Sequence, residues 1–202
     1  MHASGARPRL VLASASPRRA ALLRQIGLSP DDVDPAAIDE TSRKSELPRN
    51  YAMRIAEAKL DAVAMRHPGT IVLAADTVVA KGRRILPKAE DMATARDCLD
   101  RLSGGRHRVY GAVAIYGADG RRLRRVVMTV VAFKRLSQGE IDAYLACGEW
   151  HGKAGGYAIQ GRASAFIRQV NGSYSNVVGL PLFETAQLLA ALGLTAEGAA
   201  HG

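Results

Sequence analysis

Ile71-Val72-Leu73-Ala74-Ala75 is an apolar run with no polar side chain on either face. Successive strand residues point to opposite faces, so such a run reads as a strand covered on both, as in the interior of an α/β sheet. The covers are near at hand. Residues 48–66 carry helical periodicity and are stopped by His67-Pro68-Gly69. A further helix is expected from about Asp91, carrying Met92, Ala95, Leu99 and Leu102 up to Gly104-Gly105. Before the run, residues 10–12 read as a short strand. Ser16 and Pro17 then suit the start of a helix whose Leu22, Leu23 and Ile26 share a face before Gly27. An acidic loop fills 31–46.

The second half opens with two strand-like segments, 108–116 and 123–133, joined by a turn at Asp119-Gly120. Ser137 and Glu140 form a capping-box pattern, and Gly148 closes the helix they begin. A glycine-rich loop over 152–161 leads to a strand near 165–170. The polar turn Asn171-Gly172-Ser173 and a last helix after Pro181, with Leu188, Leu189 and Leu192, complete the chain. Strands and helices mix irregularly, which predicts an α/β fold: a mixed twisted sheet with flanking helices. With 202 residues and 48% hydrophobic composition, one domain over 8–194 is expected, with flexible ends at 1–7 and 195–202.

The composition excludes several classes. Cys98 and Cys147 lie far apart without close Cys or His partners, so neither a disulfide framework nor a zinc site is signalled, and both read as small buried side chains. No apolar run resembles a signal peptide or a bilayer span, which predicts a soluble cytoplasmic protein with no membrane partner. The net charge of +9 attracts phosphate. Its densest run, Arg121, Arg122, Arg124 and Arg125, lacks interleaved aromatics and reads as a solvated hairpin, so no stable nucleic-acid partner is expected.

Several residues could carry chemistry. Ser14, Ser16, Arg18 and Arg19 stand at a strand-to-helix junction, where free N–H groups and the helix dipole favour an anion; an ordinary capped surface helix would look the same. Lys59 falls inside the apolar stripe of its helix, between Ala52, Ile55 and Val63, so it either snorkels or meets an anionic ligand. Asp76, read as the end of the buried strand, could bind a divalent metal and accept a proton from water, or cap a turn. Glu40 is a candidate second ligand, in competition with Asp39 and Glu46. Lys88, ahead of a helix, could reach a phosphate as a point charge. His107 and His151 have no ligand-like spacing and read as structural.

Together these segments resemble the Maf family of nucleotide pyrophosphatases. The resemblance rests on Ala13-Ser14-Ala15-Ser16-Pro17-Arg18-Arg19, Ile38-Asp39-Glu40-Thr41, Arg54-Ile55-Ala56 with Lys59, and Ala75-Asp76-Thr77-Val78-Val79. It continues through Leu102-Ser103-Gly104 with His107, Lys153-Ala154-Gly155, Tyr157-Ala158-Ile159-Gln160-Gly161, Asn171-Gly172-Ser173-Tyr174 and Val178-Gly179-Leu180-Pro181. It implies two lobes around a deep nucleotide-binding cleft, often in a dimer, and Mg²⁺- or Mn²⁺-dependent release of pyrophosphate from a nucleoside triphosphate. By the same matching, Asp76 accepts the proton, Glu40 and Asp76 hold the metal, and Lys59 and Lys88 hold the phosphates. Ser14, Ser16 and Arg19 also bind substrate, and Arg18, Thr77 and Gln160 set its choice. Thr77 and Gln160 suit the branch acting on dTTP and UTP over the 7-methyl-GTP branch, although an amide would also suit CTP. The family's link to septum formation suggests the alternative of a nucleotide-sensing regulator. Ala89 and Gly111 depart from the pattern, which usually has Pro and commonly Thr at these places.

Overall fold

The computed structural model describes residues 7–196. Most of both ends expected to be flexible, residues 1–6 and 197–202, lies outside the described residues. A mixed sheet in the order β2-β1-β3-β6-β7-β9 forms the middle. Its first strands, β1 (Leu10–Leu12), β2 (Asp32–Val33) and β3 (Ile71–Lys81), are parallel to one another. The hairpin β6 (Arg106–Tyr116) and β7 (Arg122–Phe133) adds antiparallel strands, and β9 (Ile167–Asn171) closes that side. The short β4 (Arg84–Leu86) folds back on β3, and β5 (Lys88–Ala89) pairs with β8 (Lys153–Ala154) in a separate two-stranded sheet.

The two faces of β3 are buried by different means. Val72, Ala74 and Val78, together with Ala13, Ala112 and Ala114, pack against Ala52 and Ala56 of α2 (Pro48–Ala64). So many small side chains let the helix axis approach the sheet closely. The opposite face carries the larger core, where Leu12, Leu23, Leu73, Leu99, Leu102, Val113, Ile115, Phe133, Tyr144 and Leu189 pack together. That core is covered by α1 (Pro17–Gln25), α3 (Met92–Leu102), α4 (Gln138–Cys147) and α6 (Leu182–Ala190). Each large side chain buried there contributes roughly 1.5–3 kcal/mol. Among the described residues no helix is long and apolar enough to cross a membrane.

The sequence reading holds for β1, for the β6–β7 hairpin and for the capping box of α4, where Ser137 and Glu140 bond reciprocally and Gly148 closes the helix in the left-handed conformation. Elsewhere the structure corrects it. Asp76 does not end a strand: β3 continues through Val78, Val79 and Ala80, in unbroken register with β6, and Asp76 sits mid-strand. Two polar residues, Asp76 and Thr77, interrupt the apolar pattern where the strand lines a cleft. The acidic loop contains β2, whose two exposed residues, Asp32 and Val33, are too short a run to show a strand period. Lys88 lies in a strand. The strand expected at 165–170 begins as a 3₁₀ turn, Arg162–Phe166, with Ala163 and Phe166 buried three residues apart, the period of that helix. The turn at 171–173 runs into a short helix, α5 (Tyr174–Val178). Ser16 takes the N-cap position without making a side-chain cap bond. Cys98 is buried, whereas Cys147 is only half-buried.

Candidate active site

The site begins as a gap in the sheet. One edge of β3 is fully paired with β6; along the other, β1 pairs only with residues 71–73 and β4 only with 79–81. Between them the edge of β3 has no strand beside it, and Asp76 and Thr77 lie in that notch. Beyond the carboxyl end of β1, the Ala13-to-Ser16 turn closes one side. A cavity of about 200 Å³ is lined there by Ser14, Ser16, Arg19, Glu40, Lys59, Asp76, Thr77 and Lys88, among others. A second, smaller cavity shares Glu40, Asp76, Thr77 and Lys88 and extends past Tyr51, Ile85 and Pro87.

Two carboxylates and two lysines meet in the notch. Lys59, 7% exposed, donates from Nζ to Asp76 Oδ1 and to Glu40 Oε1, both at 2.8 Å. Glu40 Oε2 accepts from Lys88 Nζ at 2.6 Å. Burial raises the Glu40 carboxyl pKa, but the hydrogen bonds from Lys59 and Lys88 outweigh it and hold the group below its ordinary value. Thus the two acids stand within twice 2.8 Å of each other, on a shared cation. Asp76 Oδ2 makes no hydrogen bond among the described residues and is not sealed off from the cavity.

The same stripe that singled out Lys59 contains a residue the sequence reading passed over. Tyr51 lies two helical turns earlier, and its hydroxyl donates to the Glu40 carbonyl at 2.7 Å. Burial first, then Asp76 and Glu40, pushes its pKa up to about 12, so it stays protonated as a donor. Arg54 grips Glu46 through two hydrogen bonds of 2.7 Å and the Thr41 carbonyl at 3.1 Å. Asp39 caps the Thr41 amide. Of the three competing acids, therefore, Glu46 and Asp39 shape the loop and Glu40 enters the cleft.

Across the strand lies a second network. Arg19 is buried, with Nη1 donating to Ser14 Oγ at 2.8 Å, Nε to the Gly179 carbonyl at 2.9 Å and Nη2 to Thr77 Oγ1 at 3.2 Å. The Thr77 hydroxyl donates in turn to the Gly179 carbonyl at 3.3 Å. Burial lowers the Arg19 pKa, with partial compensation from Asp76. Ser14 Oγ also accepts from the Ser16 amide at 3.3 Å. Neither the Gly179 carbonyl nor its reach to Thr77 carries a side-chain signal in the sequence.

Eight of the ten candidate residues thus line one cavity. The other two, Arg18 and Gln160, do not. Arg18 is half-buried at the start of α1, and Gln160 is exposed in the loop before the 3₁₀ turn. His107, by contrast, is a core residue: its Nε2 lies 2.8 Å from the Tyr157 hydroxyl and its ring meets Phe133 edge-on. The arginines at 121, 122 and 124 pair with Asp119, Asp61 and Glu57 on the surface.

Oxygen donors suit a hard divalent cation, and the open Asp76 Oδ2 beside Glu40 is where one fits. No group of three or more His, Cys, Asp or Glu side chains gathers among the described residues. Two carboxylates leave further coordination positions to water and ligand oxygens, the usual pattern for Mg²⁺.

Residues 9–192 match the family described as Maf-like protein. A protein of Rhodospirillum rubrum named dTTP/UTP pyrophosphatase is 67% identical over 184 residues, covering 91% of this chain and 88% of that one. One of Paramagnetospirillum magneticum with the same name is 66% identical over 184 residues, covering 91% and 97%. Among solved structures, a HAM1 protein from Coxiella burnetii is similar in fold, with a TM-score of 0.50 at 15% identity over 91% of this chain and 99% of that one.

Proposed function

The chain belongs to the Maf-like family, and on that premise we propose that it hydrolyses dTTP and UTP to the nucleoside monophosphate and pyrophosphate. The observation that carries the proposal is the convergence of Glu40, Lys59 and Asp76 in the notch of β3, with one Asp76 oxygen left open.

A triphosphate brings several negative charges, and the notch offers Lys59, Lys88 and the turn after β1 to receive them. Lys59 exchanges a carboxylate partner for a phosphate oxygen without leaving its place on α2. Lys88, half-exposed, swings from Glu40 to the phosphates as a point charge. Asp76 orients the attacking water and accepts its proton as the anhydride bond is cleaved. Glu40 and Asp76 hold Mg²⁺ or Mn²⁺; when bound, the cation supplies charge neutralisation at the phosphate oxygens. Ser14 and Ser16 bind substrate from the turn. Arg19 has three of its donors committed to Ser14, Thr77 and Gly179, so it supplies positive field and fixes these groups.

Base choice falls to Arg18, Thr77 and Gln160. The Gln160 amide presents a donor and an acceptor, which match the N3–H and 4-oxo edge of uracil or thymine. Gln160 does not line the cavity that gathers the phosphate-binding groups, so the base it reads extends beyond that cavity. We place the protein in the cytoplasm, where its substrates are, as one domain over 8–194, and the family resemblance points to a homodimer.

The decisive measurement is pyrophosphate release from UTP, dTTP, CTP, GTP and 7-methyl-GTP, with Mg²⁺, with Mn²⁺ and with chelator. The expected result is metal-dependent turnover with UTP and dTTP foremost. Absence of pyrophosphate from every nucleotide would overturn the proposal, and a preference for 7-methyl-GTP would overturn the branch.

A further inference from the structure

We infer that Asn176, on α5, is a positioning residue of the active site, acting through the Gly179 carbonyl on Arg19 and Thr77. A helix as short as α5 cannot hold itself in place, so its position is set by what anchors it. Asn176 supplies the anchor. Completely buried, it donates from Nδ2 to the Val109 carbonyl of β6 at 3.2 Å and to Thr129 Oγ1 of β7 at 3.0 Å. Thr129 Oγ1 in turn accepts from the Ser173 amide at 3.1 Å and donates to the Ser173 carbonyl at 3.2 Å. The start of α5 is thereby fixed to two strands at once.

Its other end delivers the Gly179 carbonyl. The Gly179 amide donates to the Ser175 carbonyl at 3.0 Å, and the carbonyl accepts from Arg19 Nε and Thr77 Oγ1. Gly111 makes room for this arrangement. It is the direct cross-strand partner of Thr77, and a Cβ built on it would stand 1.9 Å from Asn176 Oδ1. Asn176 therefore occupies the seat that a side chain at 111 would take, next to Thr77 on the same face of the sheet. The cost of this seat is visible, because Oδ1 is buried without a partner. An aliphatic side chain would avoid that orphan acceptor but could not tie α5 to both strands.

This inference rests on the reading of the cleft as a pyrophosphatase site. Its test compares full-length wild type, Asn176→Ala, Thr129→Val, Thr77→Val and the Asn176→Ala/Thr77→Val double variant for kcat and KM with UTP and Mg²⁺, alongside Tm. Misplacement of site groups predicts a fall in kcat/KM of about ten- to a hundred-fold for Asn176→Ala and Thr129→Val. The double variant is expected to lose less than the product of the two single losses, since Asn176 acts in part through Thr77. Thr129→Val keeps the side chain's shape and carries the test should Asn176→Ala not fold. Wild-type kcat and KM in a folded variant, whatever its Tm, or multiplying losses in the double variant, would overturn the inference while leaving the enzyme assignment intact. A wild type that releases no pyrophosphate would overturn both.

Discussion

Lys88 and Glu40 join across the cleft by a hydrogen bond of 2.6 Å between Nζ and Oε2. Lys88 comes from the small β5–β8 sheet and Glu40 from the acidic loop, so this contact ties together two separate elements that line the cavity. Exposed ion pairs contribute about 0–1 kcal/mol to stability. Lys88→Ala should therefore leave Tm almost unchanged while raising KM for UTP about ten-fold or more. A large Tm loss with unchanged KM would make Lys88 a structural strut.

Asp76→Asn keeps the shape of the side chain and removes the proton acceptor. The expected outcome is a folded protein whose kcat falls about 10²-fold or more. Turnover near that of the wild type, measured as pyrophosphate release, would rule out Asp76 as the base.

Lys59→Met leaves Glu40 and the buried Asp76 facing each other without their shared cation. Removing one partner of a buried charge set costs up to about 3–5 kcal/mol. Tm should drop clearly in chelator and recover in part when Mg²⁺ is added, because a divalent cation replaces the lost ammonium between the carboxylates. A Tm that ignores Mg²⁺ would contradict the metal assignment of Glu40 and Asp76.

His107 sets a pH limit on stability. Burial, reinforced by Lys81, lowers its pKa from 6.5 to about 4. The fold thus favours the neutral ring, while the unfolded chain takes up a proton near 6.5. Stability is complete above that pH and is lost as pH falls from 6.5 toward 4. His107→Phe should flatten the Tm profile in this window, whereas an unchanged slope would assign the acid sensitivity to other groups.

Much of this was legible in the residues themselves. The stripe of Ala52, Ile55 and Val63 isolated Lys59 as an ammonium needing an anion, and the structure supplies two. Capping chemistry located α4, and apolar runs located β1 and the hairpin. What failed was local inference about residues whose partners lie far along the chain. Asp76 looked like a strand end because the partner that accommodates its carboxylate mid-strand, Lys59, lies 17 residues away on another element. Glu40 could not be told from Asp39 or Glu46 until Arg54 and Thr41 were seen to engage the others. The main-chain carbonyl of Gly179, 102 residues from Thr77, carries no compositional trace.

The notch in β3 has one more consequence. Main-chain groups of a strand alternate between its two edges, and the Leu73 carbonyl already bonds Ala13 on the β1 side. By that alternation the amides and carbonyls of Ala75 and Thr77 point into the notch, as an absent strand would have met them. A ligand seated there would meet peptide groups that every amino acid possesses. Alanine scanning of the cleft should accordingly reach a floor of residual affinity, and only a change that reshapes the backbone itself, such as a proline at 75 or 77, can go below it.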